Sequence, residues 1–212
     1  MKKILSLLFS LLTTTTVMSQ GMEQAKGLLE QVTQNMKKKD NIRFEFSYVL
    51  ENKAEQIRQE LEGEVTVAGD QYKVNFMDAV QLFDGKKIYT IVPENEEITI
   101  SFPDDEDDLS VNPSKLLSFY EEGYGYEWDI EQRVMGRTIQ YVKLLPNPAS
   151  EEVNYLLLGI DTQRLEVYRV IEIGYNNTRT TLTLSNTTHN IQLPEDFFAF
   201  DAAEYPNFYI NE

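Results

Sequence analysis

Residues 42–50 read Ile42-Arg43-Phe44-Glu45-Phe46-Ser47-Tyr48-Val49-Leu50, with Ile42, Phe44, Phe46, Tyr48 and Leu50 alternating against Arg43, Glu45 and Ser47. A period of two built from aromatic and branched side chains predicts a strand with one aromatic, buried face and one solvated face. Upstream the period changes. Between Glu23 and Lys38 the apolar residues Ala25, Leu28, Leu29, Val32 and Met36 recur at helical spacing, and Lys37, Lys38 and Lys39 stand where cations complement the helix macrodipole. One amphipathic helix therefore leads into the strand.

Downstream, strand-like runs follow at hairpin spacing: 57–67, 71–76, 79–83, 87–92 and 97–102, with Gly69-Asp70 and Asp84-Gly85 as turns. The pattern then breaks at Pro103-Asp104-Asp105-Glu106-Asp107-Asp108, whose adjacent carboxylates must stay solvated. A short helix is expected next, with Asn112 as N-cap, Pro113 in the first turn, Leu116, Leu117 and Tyr120 as its apolar stripe and Gly123 as its end. Strand runs resume at 126–131, 137–145, 153–160, 164–175 and 178–185. Roughly eleven strands without βαβ alternation predict an α+β chain, mainly antiparallel β, as one large sheet with two inserted helices. No repeat, low-complexity linker or second hydrophobic core is apparent, so residues 20–212 read as a single domain.

Residues 1–19 read differently. Met1-Lys2-Lys3 followed by an apolar run from Ile4 to Leu12 has the charge and length of a secretory signal peptide and is too short to span a bilayer. Val17 and Ser19 occupy the positions that a signal peptidase inspects, so cleavage is expected after Ser19. The chain contains no cysteine, which removes both a lipid-anchoring signal and any disulfide. The mature protein is expected in the periplasm, soluble and not membrane-anchored. Its formal charge falls from −16 to −18 on loss of Lys2 and Lys3. Such a balance argues against nucleic acid and anionic lipid surfaces, and a charged partner should be basic.

The residue inventory is poor in catalytic groups. His189, the sole histidine, lies in the polar stretch Asn186-Thr187-Thr188-His189-Asn190 with no nucleophile motif beside it, and is read as an exposed turn residue. One histidine without cysteine excludes a zinc site of usual composition. The acidic stretch Asp104 to Asp108 lacks the spaced ligand order of an EF-hand loop; solvation is its first reading, docking to a basic partner its second. Adjacent carboxylates such as Glu96-Glu97 and Glu121-Glu122 arise by chance among 35 acidic residues. No enzyme activity, metal or cofactor is expected. What stands out is the aromatic load of 12 Tyr and 11 Phe along alternating strands. Ordinary core packing explains it, and so does a curved sheet whose concave face is an apolar cavity under helices; periodicity does not separate the two.

The order of these motifs resembles the LolA-like family of periplasmic outer-membrane lipoprotein carriers. The similarity lies in the helix ending before Ile42-Arg43-Phe44-Glu45-Phe46, in Gly63-Glu64-Val65-Thr66-Val67, in Leu82-Phe83-Asp84-Gly85-Lys86-Lys87-Ile88-Tyr89, in Asn112-Pro113-Ser114-Lys115-Leu116-Leu117, and in the ending Leu193-Pro194-Glu195-Asp196-Phe197-Phe198-Ala199-Phe200 through Tyr205-Pro206. The resemblance implies an unclosed, half-wrapped β-barrel with helices as a lid over a hydrophobic cavity for the acyl chains of lipoproteins. It further implies an inner-membrane complex that releases the cargo, an outer-membrane acceptor, and a monomeric shuttle. An acyl chain of about fifteen methylenes at ~0.8 kcal/mol each opposes crossing water unprotected by on the order of 10 kcal/mol. On this reading the cavity is lined by Phe44, Phe46, Tyr48, Val65, Val67, Tyr72, Val74 and Phe76 from the sheet and Leu116, Leu117 and Tyr120 from the lid. The resemblance has one departure. Family members carry a basic residue and a proline after the strand matching Val65 to Val67, the basic group holding the lid closed, whereas Ala68-Gly69-Asp70 stands here. The other class of function open to the same architecture is a protein-interaction or sensor module with a filled core.

Overall fold

The structure is a computed structural model that describes residues 20–103, 113 and 115–211. The expected signal peptide, the acidic stretch Asp104 to Asp108 and the N-cap Asn112 lie outside the described residues. The amphipathic pattern forms helix α1 over residues 20–36. Eleven of the strands follow the periodicity closely: β1 (Ile42–Asn52), β2 (Ile57–Ala68), β3 (Gln71–Phe76), β4 (Ala79–Phe83), β5 (Ile88–Val92), β6 (Glu97–Ser101), β7 (Tyr124–Val134), β8 (Arg137–Pro146), β9 (Val153–Asp161), β10 (Glu166–Gly174) and β11 (Arg179–His189). A twelfth, β12 (Tyr209–Asn211), comes after them. All belong to one sheet in the order β12-β6-β5-β4-β3-β2-β1-β11-β10-β9-β8-β7, antiparallel except where β12 runs parallel to β6.

The topology is two meanders, β1 to β6 and β7 to β11, stitched together by the β1–β11 pair. The aromatic strand that opens the sheet is therefore at its centre. β7 and β12 are the two ends of the strand order and do not pair, so the barrel is open. The link from β6 to β7 must cross from one end of the sheet to the other. It carries two 3₁₀ turns, Lys115–Leu117 and Phe119–Glu121, in place of the expected mid-chain helix. Ser118, at φ −139° and ψ −7°, is outside helical geometry and separates them. A stretch this short gains little from α-helical cooperativity, and each turn delivers one buried residue, Leu117 from the first and Tyr120 from the second.

Pairing across the strands carries the alternation from strand to strand. Phe44 lies opposite Val65, which lies opposite Val74; Ile42 follows to Val67 and Tyr72. Phe46 lies opposite Gly63, and the glycine is required there. A Cβ at position 63 would stand 2.5 Å from the backbone oxygen of Asn75 and 2.7 Å from the Phe46 ring. Gly63→Ala is expected to cost about 1–3 kcal/mol in urea unfolding, and Phe46→Ala in the same chain should not restore it, because the strand oxygen remains in place.

The expected single core is accompanied by smaller clusters on the outer face. After β11 the chain straps back across the outside of β1 to β6. There Leu82, Tyr89 and Phe198 are buried with Leu193, Phe197 and Phe200 around them. The Phe200 ring stacks on Tyr89 at 4.4 Å, and Phe197 sits under Arg43 and Lys73 at 5.8 and 5.3 Å. Alternation in β4 and β5 is weak for this reason: both of their faces are covered. The Asp84-Gly85 turn holds as expected. Asp84 accepts the backbone N–H groups of Lys86 and Lys87 at 2.7 and 2.8 Å, Tyr89 donates its hydroxyl at 3.1 Å, and Gly85 takes φ 96°. Among the described residues no helix is long and apolar enough to cross a membrane.

Candidate functional site

The concave face of the sheet and its cover form the candidate site. Helix α1 lays Ala25, Leu28, Leu29 and Val32 into the concave face, where they join residues from both meanders in one continuous apolar cluster. Seven residues assigned to a cavity from the sequence are buried in it: Phe44, Val65, Val67, Tyr72, Val74, Leu117 and Tyr120. Phe46, Phe76 and Leu116 pack against it and are partly buried. Tyr48, on the same face of β1, stays half-buried and is not among the packed residues. The second meander supplies a matching wall with Val142, Leu144, Leu156, Leu158 and Val170, residues whose runs read as strands but whose face was not assigned from sequence.

The cover meets the sheet differently on its two sides. At its C-terminal end the helix is tied down. Asn35 donates its amide to the carbonyls of Arg164 and Leu165 at 3.0 and 3.1 Å, Asp40 N–H donates to the Asn190 side chain at 2.8 Å, and Asn41 exchanges hydrogen bonds with Ile191. Along the side facing β7 the contact is a seam. It holds a groove of about 330 Å³ whose wall runs along Lys26, Leu29, Glu30, Thr33, Gln34 and Lys37 of the helix segment and Tyr120, Glu121 and Tyr126 opposite.

Three side-chain contacts bridge or brace this seam. Thr33 donates its hydroxyl to Tyr120 at 3.4 Å, and Lys37 pairs with Glu121 at 3.3 Å. Tyr126 donates to the carbonyls of Tyr120 and Glu121 at 2.8 and 3.2 Å and fixes the 3₁₀ turn from below. Burial pushes the Tyr120 hydroxyl up to about 12, opposed by the Thr33 hydrogen bond, so it remains protonated at neutral pH. At the far end the seam is tight: a Cβ built on Gly21 would lie 3.6 Å from the Cβ of Trp128. Apart from Tyr120, which the sequence places on the lid, these residues were not assigned from the sequence. Lys37 reads there only as a macrodipole complement and Glu121 as one of many acidic neighbours, because their pairing is set by the crossover between β6 and β7.

His189 is placed differently from expectation. β11 continues through Asn186, at φ 50°, so that His189 is a strand residue opposite Ile42 and not an exposed turn. Its Nε2 lies 3.1 Å from a Glu166 carboxylate oxygen, with the two side chains 19% and 12% exposed. Burial is the main influence on Glu166 and holds its carboxyl above its ordinary value; His189, Arg164 and Lys39 pull the other way. The pair lies beside the tied end of the helix, next to Leu165 and Asn190, which hold that end.

No family model and no curated protein sequence matches the chain. Among solved structures, LprF from Mycobacterium bovis aligns with 82% of this chain and 97% of its own at 12% identity and a TM-score of 0.49. A LolA superfamily protein from Nitrosomonas europaea aligns with 83% of this chain and 97% of its own at 10% identity and a TM-score of 0.43. An uncharacterized conserved protein from Thermus thermophilus aligns with 86% of this chain and 96% of its own, at 12% identity and a TM-score of 0.59. That last likeness runs nearly end to end in both molecules, and it is a likeness of fold: an open, mostly antiparallel half-barrel with a helix laid in its concave face.

Proposed function

We infer that this protein is an exported, non-catalytic carrier that receives an acyl chain between the concave sheet and its cover, and that it shuttles acylated lipoproteins or another lipid across the periplasm. The observation that carries the reading is the nature of the cover. A continuous apolar face spanning both meanders is closed by one helix and two 3₁₀ turns rather than by a second sheet. One side of that cover is tied by backbone-directed hydrogen bonds, whereas the other is held by a long hydroxyl contact and an ion pair whose lysine is 69% exposed. An exposed pair of that kind contributes about 1 kcal/mol or less. Opening along the seam would expose the same residues that the alternation of β1 to β3 lines up. A release complex in the inner membrane and an acceptor in the outer membrane are the partners such a shuttle requires.

The test is uptake. Purified mature protein is expected to enhance the emission of an environment-sensitive fatty-acid probe saturably, and to yield lipid or lipoprotein on extraction from periplasm, read by mass spectrometry. A second reading has its own support. Phe44 and Tyr72 are each 1% exposed and Tyr120 is 0% exposed, so the closed form fills its interior with its own side chains. Neither uptake nor copurifying lipid is the result that leaves the protein an interaction module with a packed core.

A further inference from the structure

We propose that the seam groove between α1 and the crossover is a head-group site for a zwitterionic phospholipid that carries a primary ammonium, of the phosphoethanolamine type. The proposal rests on the carrier reading and names what the cargo presents at its polar end. The groove measures about 330 Å³. Ligand sites begin at roughly 300 Å³, so it has room for a head group but not for a pair of acyl chains. Its position suits that division. Leu29 and Tyr120 line the groove and also belong to the apolar cluster of the concave face, so a head seated in the seam leaves its chains at the edge of that cluster.

Some polar groups of the groove are already spent and others are free. Lys37 and Glu121 pair with each other at 3.3 Å, and Tyr126 donates to the carbonyls of Tyr120 and Glu121. Lys26, Glu30 and Gln34 have no hydrogen bond or ion pair among the described residues, although all three line the groove from successive turns of one helix face. Thr33 and Tyr120 share a single hydrogen bond at 3.4 Å, which leaves lone pairs on both hydroxyl oxygens open, and Tyr120 is 0% exposed.

The free groups complement one kind of ligand. An ammonium has three N–H donors and no acceptor. Glu30, Gln34 and the Thr33–Tyr120 pair offer it a carboxylate, an amide oxygen and a hydroxyl oxygen within about one turn of the helix. Lys26 stands one turn nearer the N-terminus, about 6 Å along the axis, and meets a phosphate joined to the ammonium by a two-carbon spacer. A head with a phosphate alone would bring a second anion to Glu30. A trimethylated amine would match the charge but has no N–H to donate. The acidic balance of the chain, −16 overall, also weighs against a net anionic head.

The experiment loads the mature protein with an uncharged, environment-sensitive fluorescent acyl ester and measures its displacement by three dioctanoyl phospholipids that differ only in the head: phosphoethanolamine, phosphocholine and phosphoglycerol. The phosphoethanolamine lipid is expected to displace the probe at a roughly tenfold lower concentration than either of the others. Because the chains are identical, the ratio within one protein reports the head group alone. Glu30→Lys should invert the order, so that the phosphoglycerol lipid displaces best. Uptake of the probe with equal displacement by all three lipids overturns the head-group site and leaves the carrier reading standing, whereas no uptake of any acyl probe overturns the carrier reading and the site with it. A Glu30→Lys protein that keeps the phosphoethanolamine preference also overturns the site. If that variant fails to fold, the comparison of the three lipids on the unaltered protein decides.

Discussion

Phe44→Ala is expected to lower the unfolding free energy by about 3–5 kcal/mol, seen as a large fall in the urea midpoint with an unchanged slope. The size follows from position. β1 has six strands on one side and five on the other, so its backbone is fixed by ladders to both β2 and β11 and does not collapse into a void. The Phe44 side chain is 1% exposed, with Val65 opposite it and the apolar stripe of α1 in the same cluster. Tyr48 belongs to the same alternation four residues on, opposite Leu61, but remains half-buried outside the packed residues. Tyr48→Ala should therefore cost about 1 kcal/mol. Equal costs for the two substitutions would contradict the placement of the concave face under the helix. The comparison also bears on cargo: a stability-neutral change at Tyr48 that alters lipid-probe uptake would mark the rim of the binding surface, separate from its packed centre.

The two residues show how far periodicity reaches. It identifies which side of β1 is apolar, because side chains alternate with a period of two, but it carries no information about where the helix ends its coverage. The bounds of the first helix and of most strands follow from local pattern, since each has several residues at one spacing. The segment around Leu116, Leu117 and Tyr120 has a helical spacing too, yet three apolar residues fit a 3₁₀ turn as well as an α-helix, and the outcome is decided by the crossover that has to deliver them to the concave face. β12 was illegible for a different reason. Its three residues pair only because the C-terminal strap, held by Phe197, Phe198 and Phe200, brings them beside β6. The polar run around His189, rich in threonine and asparagine, reads as a loop, whereas β11 stays paired with β1 as far as His189, opposite Ile42. The seam residues Thr33, Lys37, Glu121 and Tyr126 have no signal in local spacing; only the path of the chain joins them.

Closing the seam covalently is expected to abolish lipid uptake. The chain has no cysteine, so two introduced thiols have no competitors. Gly21→Cys with Trp128→Cys joins the start of α1 to β7 across a Cβ separation of 3.6 Å, within the range that a disulfide spans. The opposite end of the helix is already tied through Asn35, Asp40 and Asn41, so opening amounts to a swing about that end. A bond at residue 21 acts at the far end of the lever, where the displacement is largest. The oxidised variant should unfold at higher temperature than the reduced one, because the loop it closes is long. It should also fail to enhance the fatty-acid probe, and addition of reductant should restore uptake to the level of the unmodified protein. Lys37→Ala tests the same movement from the other direction. Removing the ion pair to Glu121 should leave stability within about 1 kcal/mol and make uptake no slower, since the pair holds the closed form alone. Full uptake by the oxidised variant would mean that cargo does not enter beneath the helix, and the apolar concave face would then be a packed core.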